Sequence, residues 1–291
     1  MISIKEYNKK IGSLKNTRKM TKTMKMVSAS KFKKAYKAQS NALDYARKLQ
    51  ELISRLSSSG GQKSHPLVKV RERVNKVLVL VFTSDKGLAG GFNNNLIRKV
   101  RNWGKDNSSK YTQIAMSFLG RRGYMSFRRS QTVHKYYENI TVKPNFADAL
   151  SVANEVAESF IKGEFDEIYL AYNRFNSPLS QEPTIEKFLP LDPAALTKGK
   201  EAQGSNADYE YEPEEGELIS FLIPKFLNFK IYFTLLENAA GEHGARMSAM
   251  DKASQNTADL IDRYTLLRNR ARQAAITTEL IEIISGAEAL K

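Results

Sequence analysis

Hydrophobic and small side chains recur along the C-terminal part of the chain in alternating steps of three and four residues. This spacing is typical of the heptad seam of a helix that packs lengthwise against another helix. The seam positions are Met250, Ala253, Thr257, Leu260, Tyr264, Leu267, Ala271, Ala274, Thr278 and Ile281. The pattern predicts a coiled-coil helix over residues 218–291. We expect a break or kink at Pro224, because proline lacks the backbone donor that a helix interior needs.

The N-terminal segment, residues 1–57, has the same character. It contains no proline and one glycine, Gly12, and its apolar and small residues return at helical spacing from Ile4 to Leu56. Both terminal helices therefore have a seam without a partner in their own segment. We expect them to pair as a long antiparallel coiled coil, with the last part of the C-terminal helix left unpaired.

Between the two helices the hydrophobic period changes to that of strands and short helices. Residues 76–82 are a continuous aliphatic run, typical of a buried parallel strand, and an amphipathic helix follows a glycine-rich turn. Further strands are predicted at residues 112–119, 132–137, 167–172 and 185–191, and a helix at 146–161. This alternation predicts an α/β fold class, with a Rossmann-like domain at residues 70–195 inserted between the coiled-coil helices. An acidic surface loop, residues 196–217, is expected to lead into the last helix.

The net charge of the chain indicates a further class of function, the binding of an acidic partner. The net charge is +15, and residues 1–57 alone carry 15 Lys and Arg against three acidic residues, an excess of +12. A basic helix of this kind is typical either of a solvated lysine-rich face or of a surface for an acidic partner, such as nucleic acid, an anionic membrane surface or an acidic protein.

Composition also excludes several kinds of chemistry. The chain has no Cys, so it has neither disulfides nor thiolate chemistry, and its three His are scattered without metal-ligand spacing. No apolar run approaches the roughly 20 residues needed to cross a bilayer. The N-terminus lacks the apolar core of a signal peptide. We therefore expect no catalytic set, no cofactor and no metal.

The glycine-rich turn from Asp85 to Gly91 is the one candidate for nucleotide chemistry, because phosphates bind where a strand turns into a helix. It matches neither the P-loop nor the dinucleotide fingerprint, so a tight structural turn is favoured. Asp85 follows a strand but has no companion His, which favours a capping role. Two alternatives stay open on these residues: a basic α/β nucleic-acid-binding protein with coiled-coil arms, and a nucleotide-dependent enzyme.

Long motifs at both ends and in the middle of the chain resemble one known family. They are Asn16–Lys31, Ser84–Asn93, Glu242–Ala253 and Asn269–Ala287. In the same order, these stretches are similar to the gamma subunit of the rotary F-type ATP synthase. The resemblance implies a central rotor stalk that performs no bond chemistry itself. Such a stalk couples proton-driven rotation of a membrane ring to ATP synthesis or hydrolysis in a ring of alpha and beta subunits.

The resemblance also implies partners and contact residues. The partners are the alpha and beta subunits, the epsilon subunit and the membrane c-subunit ring, with no nucleic acid. The implied contacts with the catalytic ring are Met24, Lys25, Arg246, Arg272, Gln273 and Thr277. Of these, Met24 and Lys25 would lie near an acidic lever loop of beta, and the tip at residues 281–290 would run in an apolar bearing.

Departures from the family pattern are few. Ala89 stands where the family usually has Cys, and Gly244 replaces a common Ala. A glycine within an exposed helix costs about 1 kcal/mol relative to alanine, so Gly244 is expected to be a soft spot. The resemblance and the lack of a transit peptide together predict a peripheral membrane protein on the cytoplasmic face of a bacterial inner membrane, with an organellar inner membrane as the alternative.

Overall fold

The structure is a computed structural model that describes residues 3–58, 65–192 and 215–288. Its helices are α1 (Ile4–Ser58), α2 (Phe92–Asp106), α3 (Arg121–Phe127), α4 (Phe146–Ile161) and α5 (Glu215–Glu288). Its strands are β1 (Lys76–Phe82), β2 (Gln113–Leu119), β3 (Thr132–Tyr137), β4 (Glu167–Ser177) and β5 (Ser180–Leu189). The chain forms two compact units, which we call the helical unit (Met1–Ser28 with Arg246–Lys291) and the α/β unit (Ala29–Ala245).

The α/β unit is built on one five-stranded sheet with the order β3-β2-β1-β4-β5. The first four strands are parallel and β5 is antiparallel to β4. In β1, Leu78, Leu80 and Phe82 pack in one hydrophobic cluster, while Val77, Val79 and Val81 pack in the other. Helices cover both faces of this central strand, which explains why its sequence is a continuous apolar run. The predicted α/β fold class, with long terminal helices around the sheet, is confirmed.

The predicted strands at 76–82 and 132–137 and the helix at 146–161 have the observed bounds. The last two strands are longer than predicted. β4 runs on to Ser177 and β5 already begins at Ser180, because the two pair as a hairpin down to their connecting turn. The longer strands were not predicted, because polar residues such as Asn173 interrupt the hydrophobic run from which the strand ends were inferred.

The prediction of a break at Pro224 was wrong, because α5 continues through this residue. The side chains on either side of it, Ile223 and Leu227, are buried, as are Ile231 and Leu235 further along the same face. This row of apolar side chains packs in the core cluster that also contains β1 and α4. Burial of the row offsets the cost of the missing proline donor. The predicted acidic loop lies outside the described residues, except for residues 215–217, which begin α5.

In the helical unit, α1 and α5 run antiparallel. Tyr7 contacts Tyr264 with ring centroids 6.2 Å apart, and further along Lys25 contacts Asp251. Met250 and Thr257 are buried as predicted, but the seam then uses Ile261, which is 9% exposed, instead of Leu260, which is 40% exposed. A straight helix has 3.6 residues per turn, so it drifts away from a strict 3.5-residue repeat.

Candidate partner-binding surface

A basic groove lies between α1 and α5 within the helical unit. Its volume is about 570 Å³. The lining residues are Lys15, Arg18, Lys19, Lys22, Lys25 and Met26 of α1, and Asp251, Ser254 and Ile261 of α5. Five cationic side chains therefore face a single carboxylate. The groove exists because residues 15–20 of α1 are all exposed, so the seam is interrupted between Leu14 and Thr21.

Among the described residues, the repulsion between the cations of this groove is relieved by an ion pair at Lys25 alone. The cations follow one another at helical steps of three and four residues, and such like-charged pairs each destabilise a helix by about 0.2–0.5 kcal/mol. Lys25 donates to Asp251 Oδ1 at 2.6 Å. Among the residues that the structure describes, Lys15, Arg18, Lys19 and Lys22 have no ion pair. A groove with this excess of cations is suited to bind an acidic surface.

Of the predicted contact residues Met24 and Lys25, Lys25 lines this groove and Met24 does not. Met24 is half-buried on the same helix, and the Lys25 ammonium is already paired with Asp251. This pairing is not predictable from a local pattern, since the two residues are 226 positions apart. The helical spacing of the four neighbouring cations is a signal in the sequence that could have indicated the groove.

The other predicted contact residues lie on α5, and they do not form one cluster. Arg272, Gln273 and Thr277 are exposed near its C-terminal end. Arg246 is only 8% exposed and lies 26 residues earlier, which is about 39 Å along a helix. The ring contact predicted for Arg246 stays a prediction, because this side chain is buried in its own chain.

The end of α5 beyond Gln273 is almost entirely exposed. Ile276, Leu280, Ile281, Ile283 and Ile284 are all exposed apolar side chains. No residue of α1 lies opposite them, since Arg268 already contacts Asn8, near the start of that helix. The expected unpaired helix end is therefore present over the described residues. No other described part of the chain covers its apolar side chains.

The glycine-rich turn of the α/β unit is occupied by α5. Asn238 Nδ2 donates to the Thr83 carbonyl at 3.2 Å, and Ala245 packs against Ala89 and Phe92. A Cβ added at Gly241 would be 2.9 Å from Phe92 Cε2. Helix α5 thus fills the crevice at the carboxyl end of β1, where an α/β protein would hold a nucleotide.

Asp85 has the structural role that the sequence favoured. Its carboxylate accepts hydrogen bonds from the Arg121 backbone N–H at 2.8 Å and from the Thr141 hydroxyl at 2.6 Å. It therefore fixes the first residue of α3 and the loop before α4.

Two buried carboxylates of the α/β unit have shifted pKa values of opposite sign. Burial raises the pKa of Glu237, which accepts a hydrogen bond from the Phe175 backbone N–H. Burial also acts to raise the pKa of Glu167, but hydrogen bonds from Lys187 and Tyr169 outweigh it, and the pKa falls below its ordinary value. Glu167 lies against β5 and Glu237 against β4, so both serve packing inside this unit.

Neither a metal site nor a membrane-spanning helix is found in the described parts of the chain. No group of three or more His, Asp or Glu side chains there could hold a metal ion. Among the same residues, every helix is too short or too polar to cross a bilayer.

The fold and its surfaces define a class of protein: two long helices around an inserted α/β domain, offering a basic groove and an uncovered helix end to partner chains. The ATP synthase family model matches residues 3–290. The ATP synthase gamma chain of Geobacter metallireducens is 42% identical over 291 residues, with all of both chains covered. That of Anaeromyxobacter sp. strain Fw109-5 is 39% identical over 295 aligned positions, also in full. The chain belongs to the ATP synthase gamma chain family.

Solved structures agree with this assignment. A chain in the central stalk and c-ring structure of the Tetrahymena thermophila mitochondrial ATP synthase is 25% identical. The match has a TM-score of 0.60 and covers 81% of this chain and 99% of that one. A rotor chain of the Euglena gracilis mitochondrial enzyme has a TM-score of 0.62 at 19% identity, covering 94% and 98%, which supports the fold. The nucleic-acid-binding alternative gains no support from these relatives.

Proposed function

We propose that this chain is the central rotor stalk of a proton-translocating F-type ATP synthase. It couples rotation of a membrane c-subunit ring to ATP synthesis or hydrolysis in a ring of alpha and beta subunits. It makes no bonds itself and acts by presenting different faces to the beta subunits in turn. The complex places it on the cytoplasmic face of a bacterial inner membrane, as a peripheral subunit that also contacts the epsilon subunit.

The observation that carries this proposal is the asymmetry of the helical unit. One side of the helix pair holds the basic groove, with five cations and one carboxylate. The end of α5 is a single helix with exposed apolar side chains and no covering helix among the described residues. A ring of partner chains would meet a different surface at each rotational angle. An acidic segment of beta fits the groove by charge complementarity.

Charge reversal in the groove tests the coupling. In inverted membrane vesicles, we expect Lys19→Glu combined with Lys22→Glu to uncouple ATP hydrolysis from proton pumping while assembly is retained. These residues are preferable to Lys25, whose reversal would also break the ion pair with Asp251. Lys33→Glu with Lys34→Glu, exposed on the same helix outside the groove, is the control. Normal pumping by the groove variant would refute the assignment.

A second test addresses the exposed end of α5. Replacing Arg272 and Gln273 together by alanine should weaken association with the catalytic ring, because both side chains are exposed near the end of α5, where a partner chain can reach them. Yield of the complex and its ATPase rate measure this. Wild-type values for both would remove these two residues from the contact surface.

A further inference from the structure

The α/β unit has a strongly basic outer side that neither the groove nor the helix end explains. Residues 92–131 hold nine Lys and Arg and a single acidic residue, Asp106, which is a net charge of +8. Helices α2 and α3 lie in this segment and pack on the sheet face opposite to α4 and α5. Seven of the cations form what we call the outer basic face: Arg98, Arg101 and Lys105 of α2, Arg121 and Arg122 of α3, and Arg128 and Arg129 directly after it.

Helical spacing puts these cations on the solvent side of their helices. On α2 they follow at steps of three and four residues, and the sheet is contacted instead by Leu96, Ile97 and Val100. On α3 the buried residues are Gly123 and Phe127, whereas all four arginines are exposed. Arg101 connects the two helices, since its guanidinium carbon lies 5.5 Å from the centroid of the Phe127 ring. The cations of α2 and α3 therefore belong to one surface.

The outer basic face is not neutralised by ion pairs. Among the residues that the structure describes, none of its seven cations takes part in one. Arg98 donates to the neutral amide oxygen of Asn95 at 3.3 Å. The Asp85 carboxylate is engaged by the Arg121 backbone N–H and the Thr141 hydroxyl. The face therefore keeps a large positive excess, which favours an anionic partner.

An exposed apolar side chain lies among the arginines. Met125 is 46% exposed, four residues after Arg121 and four before Arg129, so the three side chains share one side of α3. Methionine is flexible and adapts to irregular apolar surroundings. An apolar side chain bordered by Arg or Lys is typical of surfaces that lie at the headgroup boundary of an anionic bilayer.

Two arguments select a lipid surface over other anionic partners. Proteins hold single-stranded nucleic acid on free aromatic rings, but Tyr124 of α3 is already stacked on Tyr136 with centroids 4.5 Å apart. The second argument rests on the proposed function, in which the chain turns beside a membrane. A fixed acidic protein would hold a turning surface at one angle, whereas the lipids of a fluid bilayer exchange as it turns. We propose that the outer basic face binds the anionic headgroups of a lipid bilayer, with Met125 inserted between them.

Vesicle binding by the full chain tests this proposal. The probes are vesicles of phosphatidylcholine alone, and of phosphatidylcholine with one third phosphatidylglycerol, and sedimentation measures the bound chain. We expect binding to the anionic vesicles only. Each Lys or Arg near such a surface strengthens binding about fivefold, so the loss of four should weaken it by more than about a hundredfold. The variant replaces four residues by glutamine, namely Arg121, Arg122, Arg128 and Arg129.

The control removes the same charge from another exposed part of the α/β unit. It replaces four lysines of α1 by glutamine, namely Lys31, Lys33, Lys34 and Lys37. Because attraction between exposed charges fades beyond a Debye length of about 10 Å, the control should lose less than about tenfold in binding. Equal losses in the two variants would show an effect of net charge alone and overturn the proposal. Binding of the arginine variant at the wild-type level would overturn it as well.

A fluorescent reporter keeps the result decisive if the arginine variant folds poorly. The chain has one tryptophan, Trp103, so Trp103→Phe with Met125→Trp places a single tryptophan on the face. Anionic vesicles with brominated acyl chains should quench its fluorescence, because a side chain inserted at the headgroup boundary approaches the bromine atoms. Trp103→Phe with Leu179→Trp is the control, at an exposed turn of the same unit, and should keep its fluorescence. Absent quenching at position 125, or equal quenching at both positions, contradicts the insertion.

Two further outcomes separate this inference from other interpretations. If a short DNA duplex binds the wild-type chain, and the arginine variant loses this binding but keeps that to vesicles, the face is a nucleic-acid site and the proposal is overturned. Retention of alpha and beta by a tagged chain is measured in parallel. If neither is retained, the proposed function fails, whereas retention of both without binding to anionic vesicles overturns this inference alone.

Discussion

Replacing Gly244 by alanine separates two opposite expectations about α5. If Gly244 were an exposed helix residue, its replacement by alanine would stabilise the helix by about 1 kcal/mol. In the structure it is buried, and an added Cβ would lie 3.1 Å from Pro178 Cα and 3.3 Å from Pro178 O. These are backbone atoms of the turn between β4 and β5, and Gln181 Nε2 holds that turn by donating to the carbonyls of Pro178 and Ser177.

The turn cannot withdraw from a new methyl group without disturbing these hydrogen bonds. Overpacking of this kind costs about 1–3 kcal/mol, which exceeds or cancels the gain in helix propensity and leaves a net loss of up to about 2 kcal/mol. For a domain of 150–250 residues, 1 kcal/mol corresponds to a shift of about 2–4 °C in the unfolding temperature. We therefore expect Gly244→Ala to unfold at a temperature no higher than that of the wild type, and up to several degrees lower.

Gly104→Ala is the matched control, since its Cβ would meet only Met116 Cε, at an ordinary 3.9 Å, within a helix of the same unit. Thermal unfolding of the full chain, followed by circular dichroism at the helical band, measures both. Gly104→Ala should raise the midpoint. If Gly244→Ala raised it by as much, the close approach of α5 to the hairpin turn would be refuted, and the soft-spot interpretation would stand.

Four further variants test other features of the structure. Asp85→Ala removes two hydrogen bonds to a charged group and should lower the free energy of unfolding in urea by about 1.5–3 kcal/mol, whereas an unchanged value would deny the link to Arg121. Burial raises the pKa of the Glu237 carboxyl above its ordinary value of 4.5. The stability that this group contributes is therefore fully present below pH 4.5 and is lost as the pH rises through the pKa of the folded state. Glu237→Gln should thus stabilise at pH 8 but not at low pH. Burial acts to raise the pKa of the Glu167 carboxyl, but its hydrogen bonds lower the pKa below the ordinary value of 4.5. The stability that this group contributes is therefore present above pH 4.5 and is lost as the pH falls. Glu167→Gln should destabilise the protein at pH 8. The same direction of change in both variants would contradict these pKa shifts. Deleting residues 278–291 should leave the unfolding temperature unchanged, because every described side chain there is exposed, and a large drop would show a missed packing role.

The candidate surface was only partly predictable from the residues. The charge excess of residues 1–57 pointed to a basic surface on the first helix. It did not show that Lys15 to Lys22 line a groove, since that depends on a gap in the seam opposite Ser254 and Ile261. It also could not show that Lys25 is paired, because Asp251 comes from the far end of the chain. The sequence around Arg246 did not indicate that its side chain is buried. Only the packing of the folded chain distinguishes it from the exposed Arg272.

The sequence by itself determined the elements and their class. Heptad spacing at both ends and apolar runs in the middle are properties of local backbone geometry, so they predicted the terminal helices and the α/β insertion. The long motifs determined the family. Local rules were less reliable where non-local packing opposed them, as at Pro224, where a buried apolar row keeps the helix intact.

The tertiary structure decided what each surface of those elements does. It put Ile261 rather than Leu260 in the seam, filled the crevice beside the glycine-rich turn with α5, and left the apolar end of α5 uncovered by the other described residues. The physical reason is that burial and pairing depend on which segment lies opposite. For α1 and α5 that segment is more than 200 residues away, and no local pattern records it.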